Sequence, residues 1–171
     1  MANWTFGVGV ITTGTGIADA TQLTSGAYMA IIGGGATSFI YVDEIYLGGQ
    51  ATSSAPVIML LARDSTNGAT PTTLVTPNSF GPLNPLSSAL SAPPVAFVAA
   101  TTQPSRATSV SLGKKNFSFN AFGGVVRVNY ANTLDRFATT GATASTGEFS
   151  ISAFTGSTSA PIGGHCIVDV Q

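Results

Sequence analysis

Charge is what this sequence has least of. Thirteen of its 171 residues are Lys, Arg, Asp or Glu, 8% of the chain, against about 25% in an ordinary soluble domain. The formal net charge is −1, and Lys114-Lys115 is the one adjacent basic pair. That argues against a nucleic-acid partner, because neutralising phosphates takes clustered Lys and Arg. The pair itself reads as a solubilising loop tip. Cysteine is limited to Cys166, so no intrachain disulfide forms. Histidine is limited to His165, and one Cys with one His cannot make a zinc set. Adjacent residues of a strand point to opposite faces, so the two cannot form a catalytic dyad either. They read as a strand histidine beside a buried free thiol. No apolar run nears the roughly 20 residues that span a bilayer. The longest, residues 57–62, is strand-sized, and no membrane partner is expected. The start, Met1-Ala2-Asn3-Trp4, has neither a basic segment nor a long apolar one, which predicts no secretory signal. The sequons at Asn3 and Asn116 then read as accidental.

Catalytic and ligand-binding patterns are equally scarce. There is no GxSxG, no GxxxxGK[ST], and no GxGxxG leading into a helix, so the glycines of residues 7–16 and 33–35 read as turns and strand glycines. Asp43-Glu44 is the one acidic pair, and the spacing of a calcium loop is missing around it. Were a calcium ion bound, Asp43, Glu44 and Asp64 would be the first ligands to examine. Their plainer role is an ion pair of Asp43 or Glu44 with Arg63 across a hairpin. Nothing selects two carboxylates for glycoside hydrolysis. The Thr runs near residues 12–15 and 139–143 lack the flat repeat of an ice-binding array. We therefore expect no catalytic residue, no cofactor and no metal.

What the chain does have is alternation. Residues 38–49 are aromatic and β-branched and close on Gly48-Gly49. Phe39, Tyr41, Asp43, Ile45 and Leu47 fall on one face, and Ile40, Val42, Glu44 and Tyr46 on the other. Apolar groups on both faces predict a strand covered on both sides. A second run, residues 56–64, follows a small polar linker, and the two read as an antiparallel pair at the centre of an all-β domain. Further strands are predicted at residues 4–12, 26–32, 116–120, 122–130, 148–154 and 165–170, with a glycine bulge opening the 122–130 segment. Residues 65–115 hold seven of the nine prolines. Proline lacks the N–H that a sheet interior needs, so this span reads as an excursion with short edge strands near 95–100 and 108–112. The whole, residues 1–171, reads as one domain of eight to ten strands without helical periodicity. The spacing fits a two-sheet antiparallel sandwich, a jelly roll first and an immunoglobulin-like sandwich second.

A surface so poor in charge suits a protein that hides much of it in an assembly. The Met-Ala start, the Ser/Thr/Ala/Gly-rich strands and the run Asn120-Ala121-Phe122-Gly123-Gly124-Val125-Val126-Arg127 resemble the capsid decoration (cement) proteins of tailed bacteriophages. The resemblance implies a jelly-roll homotrimer on the exterior of the virion, bound to the major capsid protein, and assigns no residue a role. The alternative is a head-fibre, tail or receptor-binding accessory module that binds carbohydrate through exposed aromatics such as Tyr28, Tyr41, Tyr46 and Tyr130. Candidate interface residues are Trp4 and Phe6 near the start and Phe80, Leu83 and Leu86 in the proline-rich arm of residues 76–94, since large apolar side chains anchor interfaces and prolines pre-order an extended arm. The competing role for Trp4 and Phe6 is to fill the sandwich.

Overall fold

The computed structural model describes residues 2–7, 21–22, 27–32, 39–66, 72–73, 80–84, 86, 95–98, 105–106, 114–131, 134, 136–138, 148–153 and 161–171. These residues contain strands and turns and no helix. Eight strands have six or more residues: β1 (Ala2–Gly7), β3 (Ala27–Ile32), β4 (Ile40–Gln50), β5 (Pro56–Thr66), β10 (Lys114–Asn120), β11 (Phe122–Asn129), β13 (Glu148–Ala153) and β14 (Pro161–Val170). Between them lie short strands β2 (Thr21–Gln22), β6 (Thr72–Thr73), β7 (Phe80–Pro82), β8 (Val95–Val98), β9 (Ser105–Arg106) and β12 (Phe137–Ala138). Four of these short strands, β6 to β9, fall in the proline-rich span, and the 108–112 strand expected there lies outside the described residues.

The strands form two antiparallel sheets packed face to face. The first runs β11-β4-β14-β1-β7, with β12 also on β4 and β2 on β14. The second runs β10-β5-β13-β3-β8-β6, with β9 on β5. The eight long strands pair in nested fashion: first with last (β1·β14), second with seventh (β3·β13), third with sixth (β4·β11), fourth with fifth (β5·β10). Inward residues of both sheets meet in one core, built on Ile31, Ile45, Leu47, Met59, Leu61, Phe149, Ile151, Ile162 and Val168. Phe137 meets Phe149 edge-on at 6.0 Å across the layers. Cys166 belongs to the same core and His165 to the opposite face, as strand alternation requires.

The expected pairing of residues 38–49 with 56–64 does not occur. β4 and β5 lie in opposite sheets, and the linker between them arches from one layer to the other. Asn120 laces that arch to the matching one between β10 and β11. Its Oδ1 accepts hydrogen bonds from the N–H groups of Ala55 and Phe122, both at 3.0 Å, and its Nδ2 donates to Ser54 Oγ. Buried Ala121 exchanges backbone bonds with Ala51 and Ala55. The Asn120-Ala121 dipeptide is thus a structural clasp. Gly123, with φ +72, forms the predicted bulge at the head of β11, where the ladder skips between Phe122 and Val125.

β4 meets the apolar core on one face only, while its other face is partly covered, with Asp43 and Glu44 buried and Tyr41 and Tyr46 half-buried; the expected sorting of residues between the faces is what changes. Its ladder with β14 passes from Val42↔Val168 to Glu44↔Ile167, leaving Asp43 as an extra residue. This bulge resets the alternation. Ile40, Val42, Ile45 and Leu47 all enter the core, and Tyr41, Asp43, Glu44 and Tyr46 all reach the outer face. Two further corrections follow from the packing. Lys115 is in strand β10, not at a loop tip, and its Nζ lies 4.3 Å over the ring of Tyr130, which is buried instead of exposed.

Candidate functional site

The two outer faces of the sandwich differ. On the second sheet Leu60, Ala62, Ser150 and Ser152 turn away from the core yet are buried, so that face is covered there. On the first sheet Tyr41, Tyr46, His165 and Ile167 are half-exposed, while Asp43, Glu44, Gly163 and Asp169 on the same face are buried, so that face is open only in part. The open face is also where charge collects. Asp43, Glu44, Arg127, Arg136 and Asp169, five of the thirteen charged residues, stand there with the single histidine.

The ladders arrange this face in rows across β14, β4 and β11. Gly163, Gly48 and Val125 make one row. His165, Tyr46 and Arg127 make the next, and Ile167, Glu44 and Asn129 the third. Beyond the bulge, Asp169, Tyr41 and Ala138 of β12 make the last. The Tyr46 and His165 rings stack at 5.3 Å with planes 12° apart, as directly opposed aromatic side chains do.

Two ion clusters flank that stack. In one, Arg127 Nη2 donates to Glu44 Oε2 at 2.9 Å, and His165 Nε2 stands 3.6 Å from Glu44 Oε1. The hydrogen bond from Arg127 holds the Glu44 carboxyl below its ordinary range. In the other, Arg136 Nη2 donates to Asp43 Oδ1 at 2.6 Å and to Asp169 Oδ2 at 3.2 Å, while its guanidinium lies 4.7 Å over the Tyr41 ring. Gln171 Nε2 also donates to Asp169 Oδ2. One arginine between two carboxylates leaves an excess negative charge. Burial outweighs the arginine at Asp43 and pushes its carboxyl upward. Arg136 Nε and Asp169 Oδ1 are buried with no partner in the structure, a donor and an acceptor in the same cluster.

Arg63 is not the partner of Asp43 or Glu44. It donates from Nε to the Ala138 carbonyl and lies 4.7 Å over the Phe137 ring, bridging β5 to β12 at the sandwich side. Sequence reasoning missed Arg127, Arg136 and Asp169, which no local motif marks. Their scarcity was the available signal, since each charge in a chain with thirteen has to be accounted for. Among the described residues no group of three His, Cys, Asp or Glu is placed to hold a metal ion.

The candidate interface residues converge on one edge. β1 pairs with β7, placing Phe6 opposite Phe80 and Trp4 opposite Pro82. Leu83 and Leu86, just beyond, are exposed, Leu86 to 90%. In the β1·β14 ladder Trp4 stands opposite Val168 and Phe6 opposite Cys166. Comparison of the chain with protein-family models, with curated proteins and with solved structures finds no match in any of the three.

Proposed function

We propose that this chain is a virion structural protein without catalytic activity, a decoration or cement subunit that forms a homotrimer on the capsid exterior by binding the major capsid protein. The observation that carries this reading is its set of exposed large apolar side chains. Leu83, Leu86, Phe122, Val125 and Leu134 all lie open on a surface that has few charges to keep it dispersed. Leu83 and Leu86 follow directly on the β1–β7 edge, where the N-terminal segment and the proline-rich arm come together. The nested pairing of the long strands supports the jelly-roll form of the sandwich, a wiring used in viral shell domains. An immunoglobulin-like sandwich pairs its first strand with its second, whereas β1 pairs with β14.

The mechanism is mass action. A subunit that binds only the assembled shell stabilises it, and copies joined around one symmetry axis add their contacts. Light scattering at micromolar concentration is expected to give a trimer, and purified particles should carry the protein by mass spectrometry. A monodisperse monomer that fails to sediment with particles would overturn the reading.

A further inference from the structure

A sheet ends in strands whose outer N–H and C=O groups lack a ladder, and natural sheets blunt such edges with short strands, proline or lysine. Of the four strands that end the two sheets, three carry such a device. β7 has three residues and closes on Pro82, β6 has two residues, and β10 opens on Lys114-Lys115. β11 has none of these. It is eight residues long without proline or lysine, and among the described residues no strand lies along its outer side. Its bulge sits at the head, between Phe122 and Val125, and residues 125–129 keep an unbroken register with β4. Its one charge, Arg127, is tied to Glu44 of the same sheet. The Tyr130 N–H bonds the Asp43 carbonyl, which fixes the phase of the ladder. By antiparallel alternation Val125, Arg127 and Asn129 then turn their backbone N–H and C=O groups away from β4. These same three residues are exposed, whereas Val126 and Val128 pack against the core and are half-buried.

We propose that β11 pairs with β11 of a second copy of this chain, antiparallel about a two-fold axis, so that the first sheets of two copies run on into one. Only an extended backbone offers donors and acceptors at the spacing of this edge, which sets the partner as a strand. A two-fold axis makes the edge its own complement, each donor meeting an acceptor. Because Arg127 is already matched by Glu44, a second copy brings no unpaired charge to the edge. Charge also sets the register. With Arg127 opposite Arg127 of the partner subunit two guanidiniums would face each other, and like charges directly opposite destabilise a ladder. A shift that puts Val125 opposite Arg127 of the partner subunit avoids this and closes the half-buried Val126 of each copy against the other. The contact takes few residues from each side, against the roughly 20–30 of a stable complex, so it forms at high concentration or where copies are crowded together. A two-fold contact cannot close a ring of three, so it is separate from the trimer contact proposed above and does not depend on it.

The test is sedimentation velocity of the full chain from about 10 µM to about 1 mM, with amide hydrogen exchange followed by NMR at both ends of the range. The mass of the parent species is expected to double, from a trimer to a pair of trimers, or from monomer to dimer if the trimer contact is absent. Exchange at Val125 and Arg127 should slow as the mass doubles, while Val126 and Val128, already bonded to β4, stay slow throughout. Val125→Lys sets a second cation against the partner's Arg127 and should abolish the doubling with the melting temperature unchanged. Val125→Pro, which removes an N–H that the ladder with β4 does not use, should do the same, and if it misfolds Val125→Lys carries the comparison. Val125→Glu should move the doubling to about tenfold lower concentration. Leu83→Ser with Leu86→Ser attacks the trimer contact and should leave the doubling in place. The pairing is overturned by a mass that stays constant up to about 1 mM, by a doubling that survives Val125→Lys, or by exchange at Arg127 that stays fast in the doubled species. A doubling lost only in the leucine variant overturns it too, by assigning the contact to the proline-rich arm. A parent that is monomeric at micromolar concentration and still doubles through Val125 sinks the trimer and spares the edge.

Discussion

Arg136 and its two carboxylates are not equivalent, and the difference can be measured. Arg136→Ala would leave Asp43 and Asp169 facing each other with no cation, and unpairing a buried charge costs roughly 3–5 kcal/mol. Asp43→Asn keeps an oxygen for the guanidinium and reduces the cluster to one pair, so it should melt at or above the parent at neutral pH. The sign follows from the shift. Burial raises the native pKa of Asp43 above its unfolded value of 3.8, so its ionisation opposes folding as pH rises through the native value. The advantage of Asp43→Asn should therefore vanish below about pH 3.8 and appear above it. Thermal melts of parent and variant from pH 3 to 7 check this, and a variant that loses stability only at high pH would refute it. Glu44 has the opposite sign. Its lowered pKa stabilises the fold above the unfolded value of 4.5, a benefit lost as pH falls. With Arg127 mostly exposed, that benefit is small. Cys166 is fully buried, and burial pushes its thiol far upward, so it should not react with thiol reagents in the folded protein. Cys166→Ser should cost about 1–3 kcal/mol by burying a hydroxyl in an apolar row, read by urea denaturation.

At the scale of the strand, β4 shows how a sequence can be read correctly as a strand and wrongly as to its faces. Apolar residues at both parities looked like apolar packing on both sides, but a bulge of one residue produces the same pattern. Asp43 is the residue whose removal restores strict alternation, and its carbonyl accepts the Tyr130 N–H at 2.6 Å. Deleting Asp43 should keep a cooperative fold at a loss of about 1–3 kcal/mol for that bond. Deleting Tyr46 should abolish folding, since Leu47 and every later residue of β4 would change faces. Circular dichroism melts of both variants decide it, and equal effects would mean the bulge does not set the phase. Clean alternation elsewhere was legible. Phe117 and Phe119 point inward from β10, as Phe149 and Ile151 do from β13. Strand partners were not legible, because pairing in this wiring joins segments far apart in sequence. β4 and β5, close in sequence and both apolar, invited a hairpin that an interlayer arch replaces. The open face was illegible for the same reason, its rows being assembled from β4, β11 and β14.

For the whole molecule, the exposed leucines and the edge strand β7 separate two questions. β7 pairs with β1, so removing it would strip an edge from the first sheet. Replacing residues 83–94 with a short Gly-Ser linker spares that ladder and removes Leu83 and Leu86. The variant is expected to fold with a near-parental melting temperature but to scatter light as a smaller species and to leave particles unlabelled. A variant that assembles and binds like the parent would show the arm to be a plain loop.

The nested pairing also has a consequence in time. A ribosome releases this chain from β1 onward, yet β14, which comes after the other thirteen strands, lies in the middle of the first sheet, between β4 and β1. Until it emerges, that sheet is split, with two unsatisfied borders facing each other across a gap one strand wide. Nascent chains should therefore be sticky from the release of β1 and β4 until that of β14. Folding must wait for β14 to join β1 across nearly the full length of the chain, which makes it slow for a domain of this size. A product ending before Pro161 should accumulate in inclusion bodies, whereas adding residues 161–171 as a separate peptide during refolding should recover soluble protein. Recovery of soluble, cooperatively melting protein without that peptide would show that the first sheet closes by another route.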